Sequence, residues 1–272
     1  MTIFVSIILV NYNGSKILYD CLSSIEKFID VYSCEVIIVD NFSTDDSVII
    51  IKDNFPSFRL ICSQHNLGFG KANNLAFKHS QGEILLFLNT DTILIENMPK
   101  ILSDYLHKNH DVATVGSRII FQDGSYQLSC GNLPNIATEF FDKIKYSLDS
   151  KWHHLFSKLY DLQYSKVQEV GWVTGACLMM RRDVFGQIGG FDENFFMYFE
   201  DKDICKRVKD LGYKVIYYPE TTIIHLLGGS SHGIKKSVNK YYRDSQLYYY
   251  QKHLGKFQTN ILRLYLKISG KV

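Results

Sequence analysis

Three polar clusters in the 272-residue chain each close an apolar, strand-sized run: Asn11-Tyr12-Asn13, Asp40-Asn41-Phe42-Ser43 and Asn89-Thr90-Asp91. In the last, residues i and i+2 beyond a strand end can turn both polar heads toward one point. A carboxylate and an amide oxygen are hard donors suited to Mg²⁺ or Mn²⁺, and such an ion would neutralise a departing diphosphate. Taken alone, the tripeptide reads better as a solvated turn, where Asn and Asp are common. His225 closes another apolar run, Thr221 to His225, and could offer a nitrogen donor to the same ion. By itself it reads better as a half-buried, hydrogen-bonded histidine.

Glu200-Asp201-Lys202-Asp203 follows the aromatic run Phe195 to Phe199 and opens a helix. The helix dipole favours carboxylates there, which explains them as capping groups and also keeps them ionised. An ionised carboxylate beside an acceptor hydroxyl can act as general base. Five large apolar residues in front fit a partly desolvated site better than an exposed cap. Asn66 to Asn74 (NLGFGKANN) lacks both the GxGxxG spacing and the GKS or GKT ending of a phosphate loop. It could still hold a nucleotide on backbone amides at a helix start, with Lys71 adding charge.

These residues need a scaffold. Phe4 to Val10, Glu35 to Val39, Phe58 to Cys62 and Glu83 to Leu88 are expected strands, the first two as runs buried on both faces. Between them, Ile17, Leu18, Cys21, Leu22, Ile25 and Phe28 recur at helical spacing. Ser43 to Asp46 is a capping-box signal for a helix reaching about Asn54, Phe69 to His79 reads as a helix, and Asn97 caps another with Pro99 in its first turn. Val112 to Ile120 is strand-like and runs into an Asp123-Gly124 turn. The alternation predicts an α/β fold with a mostly parallel central sheet flanked by helices, and ligands beyond the carboxyl ends of its strands. Residues 127–168 carry no clear period. Beyond them, Gly171 to Met180 reads as a strand and Arg182 to Ile188 as a short helix. Glu200 to Leu211 reads as a helix burying Ile204, Cys205, Val208 and Leu211, and Tyr213 to Tyr218 and Thr221 to Leu226 as two short strands.

A hydrophobic fraction of 46% with 21% charged residues excludes a disordered chain. Six cysteines without a CxxC pair speak against zinc and thioredoxin-type sites and read as buried thiols of a reducing compartment. Met1 to Val10 lacks the basic and cleavage signals of a secretory leader, and no apolar run approaches the ~20 residues of a membrane span. The expectation is a cytoplasmic protein, or one attached to the inner membrane from its cytosolic side. The net charge of +2 excludes a wholesale nucleic-acid binder, but it averages two unlike regions. Residues 226–272 hold nine Lys/Arg against Asp244 alone, a net of +8; residues 1–225 hold 21 basic and 27 acidic residues, a net of −6. Tyr241, Tyr242, Tyr248, Tyr249, Tyr250 and Tyr265 are interleaved with the basic residues. This pattern fits a membrane-surface element and a helix pair packed on the body equally well.

Taken in order, VSIILVNYNG, VIIVDNFSTDDS, NLGFGKANN, LLFLNTDT, GWVTGACLMMRRDVFGQIGGFDENFFMYFEDKDICKR and the strand ending in His225 resemble the glycosyltransferase family 2 enzymes, and within them the bacterial rhamnosyltransferase branch. The resemblance runs from Val5 to about Gly229. It implies a GT-A fold over residues 1–225, with 226–272 as a basic, tyrosine-rich helical extension. It implies that Asp40 contacts the base of a nucleotide-diphospho-sugar near Asn11 and Asn13, with Lys71 and Asn73 also on the donor side. Asn89 and Asp91 match the family's metal-binding DxD motif, His225 completes the metal site for Mg²⁺ or Mn²⁺, and Asp201 matches the catalytic base. Trp172, Gly175 and Glu200 would line the sugar and acceptor pocket. One departure is Asn89 in place of the first DxD carboxylate, which removes a negative charge and leaves Asp91 with most of the coordination.

The implied reaction is inverting transfer of a sugar, with L-rhamnose the guess from the branch, to a hydroxyl of a glycan or polyprenyl-linked acceptor in surface polysaccharide synthesis. An oligomer is compatible with this reading. Two other readings compete with it. A sugar-nucleotide nucleotidyltransferase should carry a basic glycine-rich loop after the first strand, and VNYNGSK is a poor one. A catalytically inactive carbohydrate-binding subunit is kept open by Asn89 and opposed by Asp91, Asp201 and His225 together.

Overall fold

The computed structural model describes residues 4–30, 33–141, 157–226 and 235–270. Its first half follows the apolar runs. β1 (Val5–Asn11), β2 (Cys34–Asp40), β3 (Arg59–Cys62) and β4 (Ile84–Asn89) pair in parallel in the order β3-β2-β1-β4. β1 shows why the runs do not alternate in polarity. Ile7 and Leu9 enter one core with Leu18, Leu22, Met98 and Leu102, whereas Ile8 enters the other with Ala72, Ala76, Phe185, Ile204 and Val208. Successive side chains point to opposite faces, and helices cover both.

Beyond β4 the sheet becomes mixed. β11 (Cys177–Arg181) lies antiparallel to β4, followed by β6 (Val112–Ile120), β12 (Lys214–His225) and β5 (Thr92–Leu94). β6 turns at Asp123-Gly124 into β7 (Tyr126–Gln127), as expected from the sequence. The Asn97 cap is also present, its side chain accepting from the Lys100 amide at 3.2 Å.

Several boundaries differ from the sequence reading. The second helix begins at Ser47 rather than at the Ser43 box, because the Ser43 hydroxyl accepts from Asn11 and Asn13 while Asp45 takes the Ser47 and Ser15 amides. Gly171 to Met180 is two strands: β10 (Trp172–Val173), paired with β8 (Cys130–Gly131), and β11, with a break at Thr174-Gly175-Ala176. The two short strands near the end are one, β12, with a register shift between Tyr218 and Thr222 that absorbs Pro219. Leu211 lies just past its helix and is exposed, and Cys62 is exposed on edge strand β3; the other five cysteines are buried and all six are free. Among the described residues, no helix is long and apolar enough to cross a membrane.

The chain ends in two helices, Lys235–His253 and Gly255–Ile268. Tyr249, Tyr250, Leu262 and Leu266 form a third core with Phe195 and Phe199. The Tyr-rich pattern therefore reports packing on the body for these two tyrosines.

Candidate active site

The register of the parallel strands sets the first part of the site. Asn11 stands opposite Asp40, and Val10 opposite Asn89, at the carboxyl ends of three neighbouring strands. The Asn11 amide donates to Asp40 Oδ1 at 2.9 Å and to Ser43 Oγ at 3.1 Å, and the Ser43 amide donates to Asp40 Oδ2 at 3.0 Å. Asp40 is thus buried and held on both oxygens. Asn13 Oδ1 accepts from the Thr44 amide at 2.8 Å, joining the first two clusters. Asn11 Oδ1 is buried without a hydrogen-bond partner among the described residues. Gly14 gives it room, since a Cβ there would lie 2.5 Å from that oxygen. Asn13 (φ 53°) and Phe42 (φ 73°) both sit in the left-handed region. Asn tolerates it; for Phe42 it is strain at the rim of the site.

The second part comes from strand pairing across the whole chain. β5 begins directly after Asp91 and runs antiparallel to the end of β12, with Thr92 opposite His225. This brings Asp91 Oδ1 to 2.9 Å from His225 Nε2, and His225 Nδ1 to 3.0 Å from Gln127 Oε1. As the contact stands, Asp91 Oδ1 accepts from Nε2–H; a divalent cation would displace that proton, and with Nδ1–H held by Gln127 Oε1 the carboxylate and the imidazole would both be donors to one ion. Asn89 closes β4 half-buried; its carbonyl accepts from Thr92 Oγ1 at 2.7 Å. Among the described residues no three His, Cys, Asp or Glu side chains group as a metal site. The donors brought together here are one carboxylate and one imidazole, with Asn89 two residues before Asp91 in the chain. That set fits a divalent cation of the Mg²⁺/Mn²⁺ type, which takes one or two protein carboxylates and fills its other positions with phosphate oxygens and water. Sequence reasoning missed Gln127, which stands at the start of the stretch without a period.

The third part is the start of the Glu200–Asp210 helix. Asp201 Oδ2 accepts from the Gly175 amide at 3.3 Å and Oδ1 from the Lys202 amide at 2.8 Å. Lys202 Nζ lies 3.8 Å from Asp201 and 4.5 Å over the Trp172 ring. Trp172, Gly175 and Asp201 are therefore brought together. Burial opposes a charge on Lys202, but Asp201 beside it keeps the ammonium favoured, with a raised pKa. Glu200 is buried and its Oε2 has no partner among the described residues. Burial, reinforced by the neighbouring Asp201 charge, pushes its carboxyl up to about 8. The two acids are thus set apart, one neutral and inward, the other polar and hydrogen-bonded.

Tyr198 (φ 70°) and Phe199 (φ 66°), immediately before Glu200, are both left-handed, a strained pair that surrounding structure must hold. The penultimate helix supplies that support. Tyr242 packs against both rings, Tyr249 against Phe199, and Ser245 Oγ donates to the Met197 carbonyl at 2.8 Å. Asp203, fully buried, pairs with Arg207, Lys252 and His253 at 2.7–2.8 Å. From the other side, Asn74 brackets Phe191, accepting from its amide and donating to its carbonyl, both at 2.9 Å. Lys71 is exposed in the first turn of the Phe69–Lys78 helix, while Asn73 is buried and donates to the Phe69 carbonyl at 3.0 Å. The bracketing residue, Asn74, was passed over in the sequence because its partner is 117 positions away.

Comparison with known proteins identifies the family. Residues 6–189 match the family described as glycosyl transferase family 2, and residues 121–266 match glycosyl transferase family group 2. N-acetylglucosaminyl-diphospho-decaprenol L-rhamnosyltransferase of Mycobacterium tuberculosis is 28% identical over 240 residues, 83% of this chain and 76% of that protein. The dTDP-rhamnosyl transferase RfbF of Shigella flexneri is 24% identical over 224 residues, 78% of this chain and 68% of that protein. Among solved structures, the mannosyltransferase PcManGT of Pyrobaculum calidifontis, in complex with GDP-Man and Mn²⁺, superposes with a TM-score of 0.65 at 18% identity, covering 94% of this chain and 66% of that one. That likeness is one of fold, the GT-A type. With its sheet, its strand-end clusters and a family match over residues 6–189, the chain belongs to glycosyl transferase family 2.

Proposed function

We propose that this glycosyltransferase moves L-rhamnose from a deoxythymidine-diphosphate donor to a hydroxyl of a polyprenyl-linked glycan, with inversion, in bacterial surface polysaccharide synthesis. The observation that carries the reading is the Asp91–His225 pair, two donors 134 residues apart in sequence and 2.9 Å apart in space, beside the Asn11–Asp40 cluster. The relatives' rhamnosyl and decaprenol-linked chemistry supports the choice of sugar and acceptor.

In this reading Asp40, Asn11 and Asn13 face the base and ribose, and Lys71 and Asn73 contribute to the donor side from their helix. Asp91, His225 and Asn89 would hold a divalent cation, which supplies charge neutralisation for the diphosphate. An imidazole in the set favours Mn²⁺ over Mg²⁺. Asp201 accepts the proton of the acceptor hydroxyl as its oxygen bonds to the anomeric carbon; the bond from that carbon to the diphosphate oxygen breaks on the opposite face. Gly175 keeps the Asp201 carboxylate oriented, and Trp172 and Glu200 shape the acceptor side. The enzyme works in the cytoplasm, at the cytosolic face of the inner membrane where such an acceptor resides. An inactive binding subunit would not need an Asp201 side chain aligned by the Gly175 amide.

Thermal unfolding in the presence of sugar nucleotides tests the donor. A ligand at a hundred times its Kd adds about 2.7 kcal/mol. The thymidine-diphosphate sugar should raise Tm by several degrees with Mn²⁺ and much less with chelator. Protection by another nucleotide alone would overturn the donor assignment.

A further inference from the structure

The last helix, Gly255–Ile268, carries two apolar faces. One, Thr259, Leu262 and Leu266, is buried against the body. The other, Phe257, Ile261, Leu264 and Ile268, is exposed, with Phe257 and Ile268 each at 78%. At roughly 100° per residue these four positions fall within about 60° of arc, opposite the buried three. Lys256, Arg263 and Lys267 are exposed along one flank of that stripe, with no ion pair among the described residues, and the helix contains no acidic residue. We infer that this outer stripe is a docking surface for an anionic lipid bilayer, into which the four apolar side chains insert while the three cations meet lipid phosphates.

Two further observations select this occupant. A second copy pairing stripe to stripe would bring two cationic flanks together with no carboxylate on either helix to pair them. Charge also divides along the chain, +8 in residues 226–272 against −6 in 1–225, which orients the tail toward an anionic surface and the body away from it. Ile136 N also donates to Gln258 Oε1 of the last helix at 3.3 Å, and Phe140 and Phe141 of the same helical stretch are exposed. The proposed lipid-linked acceptor gives this surface its purpose, but the surface rests on its own geometry.

Co-sedimentation of the full chain with vesicles tests the inference. Wild type should bind vesicles containing phosphatidylglycerol and bind pure phosphatidylcholine at least tenfold more weakly, with binding falling as salt rises. Phe257→Gln with Leu264→Gln, and separately the Lys256, Arg263 and Lys267→Gln triple variant, should each lose tenfold or more while Tm stays unchanged. Absence of wild-type binding to anionic vesicles, or equal binding by these variants, would overturn the proposal. So would a wild-type dimer in light scattering that Leu264→Gln dissociates, since the stripe would then belong to a second copy. Transfer to a water-soluble acceptor should be unchanged in the variants. Vesicle binding without any transfer would instead contradict the proposed function and leave the docking surface standing.

Discussion

Glu200 and Asp201 are adjacent in sequence and opposite in circumstance. Glu200 is buried with one oxygen unpartnered among the described residues, and its carboxyl is raised to about 8 by burial and then by Asp201. An unfolded chain releases this proton near pH 4.5 while the folded chain retains it to about 8, so folding becomes less favourable as pH rises between those values. Glu200→Gln should therefore raise Tm at pH 7.5, leave it nearly unchanged at pH 4, and flatten the slope between, all visible by calorimetry across pH. At the proposed cation site, Asp91→Ala should weaken donor affinity about tenfold or more when Mn²⁺ is present and change it little with chelator, read by titration calorimetry. Asn89→Asp restores a carboxylate to the position and should tighten Mn²⁺ dependence rather than abolish activity.

At the scale of elements, loop anchors decide whether the site keeps its shape. Gly68 (φ 76°, ψ −179°) occupies backbone space open to glycine, and a Cβ there would sit 2.5 Å from the Phe196 carbonyl that the Phe69 amide bonds. Gly68→Ala should cost about 1–3 kcal/mol of stability and lower turnover by disturbing the loop before Glu200. Buried Asp203 is a second anchor. Burial would raise its pKa, but His253, Arg207 and Lys252 together hold it below the usual carboxylate range. Its ion pairs stabilise above the unfolded carboxylate value and are lost as acid protonates it. Asp203→Ala should cost about 3–5 kcal/mol, since Arg207 and Lys252 lose their buried anion and His253 its hydrogen-bond partner, measurable by urea unfolding at neutral pH. The sequence made the parallel strands and their polar ends legible, because an apolar run that stops at Asn or Asp reports burial and termination within a few residues. It did not reveal what depends on distant partners. The break at Thr174-Gly175-Ala176 depends on β8, the Ser43 hydroxyl is taken by Asn11 and Asn13, and Asn74 rather than Asn73 grips Phe191. In each case local pattern indicated a feature of the right kind nearby, and a contact far along the chain chose the residue.

For the whole molecule, the charge split between residues 1–225 and 226–272 suggested two parts, and the packing makes the second a support for the first. Tyr249 and Tyr250 are fully buried against Phe195 and Phe199, next to the strained turn before Asp201. A chain ending at His225 should accordingly lose the support of that turn, melt at lower temperature and lose turnover, even though the strand-end clusters all remain. In the proposed reaction these parts converge on Asp201 as the base of an inverting transfer. The decisive experiment is single-turnover transfer from thymidine-diphosphate rhamnose to a lipid-linked acceptor, compared between wild type and Asp201→Asn. Wild type should give an inverted anomeric linkage and the variant a rate lower by roughly a hundredfold or more, with donor affinity unchanged. Near wild-type turnover by Asp201→Asn, or a retained anomeric configuration, would contradict it.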